Sequence, residues 1–303
     1  MSDNSSCNAV EFQEQFLSSM YSIQICMAVI SNLFALWLLV TRERNNWHTS
    51  VVLSCNLAIS DLLYSLTLPL LIDYYVKEMD WLYGTAACKI ERFLFNCNLY
   101  VSIYFIMCIS VTRYMAIVHP FFSRNNVSPA KAKVASVIIW MFVIAISSPV
   151  LKFTSTCPAA NNTTHCVLNS YCATTSQDVA NSIFYYKVFL AVVGCFVPFL
   201  VTFLSYAALF RVVWRNPNIS YLVKRKVALM VFAAVVLSAI SFLPYHFIQC
   251  YYLYARVNEP GSECNSLYMA YQVSKGLVTM NMCIHPMLYV AEFDNIRMAC
   301  CRS

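Results

Sequence analysis

Seven long apolar stretches dominate this sequence: Tyr21 to Val40, Val51 to Val76, Cys88 to Val118, Val134 to Leu151, Phe184 to Phe210, Val227 to Leu253 and Leu267 to Val290. A segment crossing a bilayer finds no water to satisfy its backbone N–H and C=O groups, so it must close those hydrogen bonds within itself, as an α-helix does. About 20 apolar residues in a helix cover a hydrocarbon core of about 30 Å, and every stretch meets that length or comes close to it. The sequence therefore predicts an all-α membrane protein, a seven-transmembrane helix bundle whose outer faces meet lipid. Composition excludes the alternatives. With 60% hydrophobic residues, 11% charged and only 4 glycines, the chain suits neither a disordered tail nor a water-soluble domain. Five stretches carry an internal proline (Pro69, Pro149, Pro198, Pro244, Pro286), which is tolerated where neighbouring helices satisfy the backbone groups it frees.

The basic residues orient the bundle. With the amino terminus outside, 13 of the 20 Lys and Arg face the cytoplasm beside three acids (Glu43, Glu292, Asp294), whereas the other face holds seven basic residues and ten acids. A short-loop excess of Lys and Arg on the cytoplasmic side fixes that topology. The net charge of +6 thus reflects membrane orientation, and no nucleic-acid polymer is implied as a partner. The expected layout is an extracellular amino terminus over 1–18, a seven-span domain over 19–291, and an amphipathic helix with the cytoplasmic end over 292–303, in a multi-pass protein of the plasma membrane. The first ten residues hold no basic n-region, so the first span is expected to act as an uncleaved insertion signal. Sequons at Asn4, Asn161 and Asn162 fall on the outer side and are candidate glycosylation sites.

Fifteen cysteines sort by compartment. Those inside the spans read as small apolar core residues. Six are extracellular (Cys7, Cys88, Cys157, Cys166, Cys172, Cys264), enough for three bridges with 15 connectivities, among which spacing alone does not choose. Cys300 and Cys301 follow the amphipathic piece at the membrane surface, a setting for S-palmitoylation.

The stretch Cys88 to Pro120 is the axis of the bundle. A helix of its 33 residues is about 50 Å long and protrudes at both ends. One end carries Cys88, Glu91 and Arg92; the other carries Thr112, Arg113 and Tyr114. Arg92 lies one turn below Cys88, and Lys275 eleven residues before Pro286. Both are expected to face inward, because a charge facing lipid costs several kcal/mol. Two cations then border one outward-facing cavity, where guanidinium and ammonium groups suit phosphate or carboxylate oxygens. Tyr100 and His246 are placed to add polar contacts or to stack on a base, with Gln249 one turn from His246. The competing readings are an ion pair of Arg92 with Glu91, and snorkelling of Lys275 to the interface.

Seven spans with Cys88 opening the third and TRY closing it, Asn32 in the first, LAISD with Asp61 in the second, Trp140 in the fourth, Pro198 and Tyr206 in the fifth, FLPYH in the sixth and HPMLY in the seventh resemble the rhodopsin-like G-protein-coupled receptors. Within that family, WLYGTAACKIERFLFNCNLYVS, IVHPFF, LPYH and the HPMLY ending resemble the purinergic nucleotide receptors, an ATP-responsive subtype in particular. The resemblance implies a receptor for an extracellular anionic small molecule, a nucleotide such as ATP, that signals through a heterotrimeric G protein and uses no cofactor. It also implies a Cys88–Cys172 disulfide and a Cys7–Cys264 disulfide, leaving Cys157 and Cys166 to pair locally. A basic residue is common at the position of Gln249 in the resembling receptors; Lys187 on the fifth span is the candidate replacement cation.

The same resemblance assigns the signalling parts. Arg113 engages the G protein when the sixth helix swings out, supported by Tyr206 and Tyr289, and Phe242 stands where a tryptophan is commoner. Thr112 replaces the usual acid before Arg113, so ligand-independent signalling is expected. Asp61, with Ser102 and Asn281, matches a sodium pocket in relatives, but His285 replaces the usual Asn or Asp before Pro286. A carboxylate and an imidazole in one dry pocket are expected to form a proton-coupled pair in place of a sodium site. Rival classes fare less well. There is no HExxH or P-loop to support an enzyme, and no internal repeat to support a transporter or channel. Among receptors, one for a small dicarboxylate of the succinate or oxoglutarate type would use the same cations.

Overall fold

The structure, a computed structural model, describes residues 3–42, 48–158, 163–168, 176–258 and 265–286. Span one is α1 (Asp3–Arg42). Span two is α2 (Thr49–Ser65) and α3 (Leu68–Val76), separated by a break just before Pro69. Span three is α4 (Gly84–Val118), followed by the short α5 (Pro120–Asn126). Span four is α6 (Pro129–Ser147) with the single turn α7 (Val150–Phe153). A hairpin of β1 (Thr154–Pro158) and β2 (Thr164–Leu168) leads to span five: α8 (Gln177–Phe189), a π-helical segment (Leu190–Phe196) and α9 (Val197–Arg215). Span six is α10 (Tyr221–Asn258). Span seven is α11 (Asn265–Thr279), which breaks at Met280 and resumes to 286.

Six of these helical segments are long and apolar enough to cross a membrane. Ile30, Trp37, Ile138, Leu200, Phe232 and Phe247 point outward and stay exposed, while Asn32, Asp61, Asn96, Ser102 and His285 are buried inside. That inversion is the signature of a bundle whose solvent is lipid. α4 lies at the centre, packed against α2, α6 and α9.

The prolines are handled as a water-free interior demands. Pro286 cannot donate to the carbonyl four residues before it; the Asn32 side chain donates to that Met282 carbonyl instead, at 2.8 Å. In span five, a π-helical register pairs residues five apart, so Pro198 leaves the Val193 carbonyl unpaired, and the Tyr104 hydroxyl donates to it at 2.8 Å. Gly194 in the same segment lets the Tyr100 ring approach closely; a β-carbon there would collide with the ring. α1 runs unbroken through most of the segment expected to form the amino-terminal tail, with its helix starting at Asp3.

The expected Cys88–Cys172 disulfide is not formed. Cys88 is bonded to Cys166, with Cα atoms 5.6 Å apart. The hairpin register gives the reason. Thr156 pairs with Cys166 and Cys157 with His165, and cross-strand partners share a face, so Cys157 and Cys166 point to opposite sides and cannot pair with each other. The Thr156 and Cys166 side faces α4, where Thr156 and Thr85 share a hydroxyl hydrogen bond of 2.6 Å. Cys157 is also disulfide-bonded. The Trp81 amide donates to the Thr164 carbonyl at 2.7 Å, and the Asp80 carboxylate accepts from the Thr164 amide at 2.8 Å. The hairpin is thereby tied down over the Cys88 end of the bundle. The Cys7 side chain and Cys264 lie outside the described residues, as do the Asn4 side chain, Asn161, Asn162, Tyr289, Cys300 and Cys301.

Candidate ligand-binding and signalling sites

Just inside the hairpin, α4 presents Glu91 and Arg92. The Glu91 carboxylate is fully buried and accepts no hydrogen bond from the described residues. Its compensation is Arg92, whose Nε lies 3.3 Å from Glu91 Oε2. Arg92 Nη2 donates to the Cys166 carbonyl at 3.0 Å. The ion pair weighed against ligand binding is therefore present, and the disulfide-linked strand takes a second part of the guanidinium. A buried carboxylate without a cation would be prohibitive, so Glu91 and Arg92 act as a unit.

Lys275 is different. It is 6% exposed, its ammonium has no hydrogen-bond or ion-pair partner among the described residues, and it does not snorkel to the surface. It lies within electrostatic reach of Arg92 and Glu91. Lys187, 3% exposed, is also within electrostatic reach of Arg92, and its only hydrogen bond among the described residues is a long one of 3.4 Å to Asn96 Oδ1. Spans three, five and seven thus bring the basic side chains of Arg92, Lys187 and Lys275 into one neighbourhood with the Glu91 carboxylate.

Around these cations runs an aromatic wall. Phe95 meets Tyr245 edge-on at 6.0 Å, Tyr245 and Tyr271 stack at 6.1 Å, and Tyr271 stacks on Tyr252 at 5.5 Å. Gln249 donates to the hydroxyls of Tyr245 and Tyr271, at 3.0 and 3.2 Å; it is the clamp that holds two rings of the wall in place. Deeper in, the Tyr100 hydroxyl and His246 Nε2 meet at 3.4 Å, with His246 Nδ1 at 2.8 Å from the Phe242 carbonyl. Because the backbone carbonyl only accepts, Nδ1 carries the proton and Nε2 accepts from Tyr100. All six residues anticipated for the ligand site converge on this end of the bundle. Asn96, Tyr245 and Tyr271 were not anticipated. Asn96 was detectable as an uncharged polar residue in an apolar span, which is costly without a task.

Below lies a second buried polar group. Asp61 Oδ2 is 2.9 Å from His285 Nδ1, and Asp61 Oδ1 accepts from Asn98 at 2.8 Å. Ser102, Asn281 and Phe242 line a small cavity beside His285. Asn98 is a further member the sequence reading missed. At the far end, the buried Arg113 donates from Nη1 to Met230 Sδ at 3.3 Å and sits within hydrogen-bonding reach of the Tyr206 hydroxyl. It joins span three to spans five and six. Thr112 turns its hydroxyl to the Ile109 carbonyl at 2.9 Å and supplies no charge to Arg113.

Residues 31–289 match the model of the family described as 7 transmembrane receptor (rhodopsin family). The chain is 36% identical over 310 residues to purinoceptor 11 of Homo sapiens, covering 96% of this chain and 82% of that one. It is 32% identical to purinoceptor 1 of Mus musculus, covering 94% and 76%, and 33% identical to purinoceptor 1 of Gallus gallus, covering 94% and 78%. A buried arginine between three spans, a polar group around Asp61 and a disulfide-pinned hairpin over a cluster of basic and aromatic side chains, read with these matches along nearly the whole chain, lead to one conclusion: this protein belongs to the rhodopsin family of seven-transmembrane receptors, among the purinoceptors.

Proposed function

We propose that this chain is a plasma-membrane receptor for an extracellular nucleotide, ATP or a close analogue, with its amino terminus outside and a heterotrimeric G protein at its cytoplasmic end. The observation that carries the ligand assignment is the Lys275 ammonium, 6% exposed and without a partner among the described residues, within electrostatic reach of Arg92. An unpaired buried cation is costly unless an anion arrives to match it. Lys275 is the principal phosphate contact in this reading, and Lys187 the second. Arg92 contributes through its Nη1 edge, because Nε and Nη2 are engaged by Glu91 and the Cys166 carbonyl. The ring wall of Tyr245, Tyr252 and Tyr271 supplies a stacking face for a base, with Tyr100, His246 and Gln249 as its polar floor and clamp. The Cys88–Cys166 link holds the hairpin across the entrance.

Binding shifts a two-state helix arrangement only by its differential affinity for the open state. Phe242 and His246 sit one turn apart on α10, with Pro244 between them, so contacts made at His246 act on the helix that also carries Met230 against Arg113. Release of Arg113 and its support by Tyr206 and Tyr289 is the proposed output. The test is a calcium and cyclic-AMP screen of nucleotides against dicarboxylates in transfected cells, with wild type and Lys275→Ala compared at equal surface expression. Nucleotide agonism lost in the variant supports the reading. Dicarboxylate agonism without nucleotide agonism replaces it.

A further inference from the structure

The family resemblance implies a sodium site around Asp61; the residues present here do not fit that ion. Asp61 is fully buried, and both of its carboxylate oxygens are already taken, Oδ1 by Asn98 Nδ2 at 2.8 Å and Oδ2 by His285 Nδ1 at 2.9 Å. Whether the carboxylate is ionised and accepts, or is protonated and donates, one proton lies between Oδ2 and Nδ1. That proton already occupies the position from which a cation would approach Oδ2.

The adjoining cavity makes the point geometrically. It holds about 10 Å³ and is lined by Asn98, Ser102, Phe242, Asn281 and His285 among others, but not by Asp61. The imidazole stands between the carboxylate and the space. An ion placed there would meet a ring nitrogen where it needs a formal negative charge. Three polar atoms remain without a partner among the described residues: His285 Nε2, Ser102 Oγ and Asn281 Nδ2. Each belongs to a residue at most 5% exposed, and all three residues line the same cavity. A volume of about 10 to 15 Å³ accommodates one water, which needs two to four polar partners. The count and the size agree.

We propose that this cavity binds a single water, held by His285 Nε2, Ser102 Oγ and Asn281 Nδ2, and that the Asp61–His285 bond closes the pocket to sodium. The receptor is then insensitive to sodium at this pocket. Phe242 forms part of the wall, so the water is in contact with the ring that moves with α10. His285→Asn removes the ring that separates Asp61 from the cavity and replaces it with an amide whose oxygen ligates cations.

The test is thermal unfolding of the purified full chain in nanodiscs, with sodium chloride exchanged for choline chloride at a constant ionic strength of about 0.15 M. Wild type is expected to unfold at the same temperature in both salts. His285→Asn is expected to gain a saturable sodium-specific rise in midpoint, as any ligand selective for the folded state produces. A saturable sodium-specific rise in wild type overturns the proposal, and so does a His285→Asn protein that stays insensitive. Should that variant fail to fold, the wild-type salt comparison decides alone. An experimental map adds an independent reading: a solvent peak within hydrogen-bond distance of His285 Nε2, Ser102 Oγ and Asn281 Nδ2 supports the water, and an ion coordinated by Asp61 overturns it.

Discussion

Replacing Lys275 by glutamine perturbs the proposed anion site where it is least encumbered. The ammonium has no partner among the described residues and lies within electrostatic reach of the positive Arg92, so two effects of opposite sign follow from one substitution. A hydrogen bond from a charged donor to a phosphate is worth about 1.5–3 kcal/mol. At 1.4 kcal/mol per decade, its loss weakens agonist binding about 10- to 100-fold. The empty receptor, by contrast, loses a buried basic group that makes no hydrogen bond or ion pair among the described residues and that Arg92 repels, so it should become more stable or remain unchanged. The measurements are an ATP concentration–response curve at matched surface expression and a thermal unfolding midpoint of the purified protein without agonist. The expected pair is a right-shifted response with an equal or higher midpoint. A response within about 3-fold of wild type, under half a decade on the same scale, rules out Lys275 as a ligand contact. A right shift with a lowered midpoint counts against it differently, because Lys275 would then be a structural partner.

Three further outcomes follow from particular contacts. Arg92→Ala strands the buried Glu91 carboxylate, a cost of about 3–5 kcal/mol, so its surface expression should collapse, and the double change Glu91→Gln with Arg92→Gln should recover expression in a cell-surface immunoassay. Gly194→Ala pushes a methyl into the Tyr100 ring; overpacking of about 1–3 kcal/mol should lower the unfolding midpoint and shift agonist potency together. His165, on β2 and half-buried, has its pKa held below the ordinary histidine value by burial, with Asp80 opposing. The hairpin's stability is therefore complete above that ordinary value and is lost as pH falls from it toward the lowered folded value, because the unfolded strand takes up the proton first. Hydrogen exchange of the hairpin should speed up on acidification relative to a His165→Gln variant, which should show no such excess.

Much of the fold was legible because lipid imposes simple rules. Each apolar run had to be a helix, and each charged residue inside a span had to face inward, which is why Arg92 and Lys275 were expected to face the interior; the pairing of Asp61 with His285 came from the family resemblance. What escaped depended on backbone partners the pattern of apolar residues does not encode. The Cys88 partner is set by strand alternation in a hairpin of two five-residue strands, whereas the family resemblance implied Cys172. The π-helical segment at Leu190–Phe196 depends on Tyr104 reaching the carbonyl that Pro198 leaves open. Neighbouring residues of opposite charge, Glu91 and Arg92, are read from sequence as an ion pair or as a ligand contact; their burial and the Cys166 carbonyl show that the guanidinium is committed to the pair on one edge. Asn98 was overlooked because an amide two residues from Asn96 lies on a different helix face, and only the position of α2 shows which of the two meets Asp61.

The ligand assignment stands on an anion completing a pocket of cations left short of negative charge. An experimental structure of the full chain with ATP bound decides it through one distance, from the phosphate oxygens to Lys275 Nζ. Phosphate oxygens are expected within hydrogen-bond distance of Lys275, with Lys187 and Arg92 Nη1 adjacent and the base against the tyrosine wall. Phosphates seated elsewhere, with Lys275 still unpartnered, would contradict it.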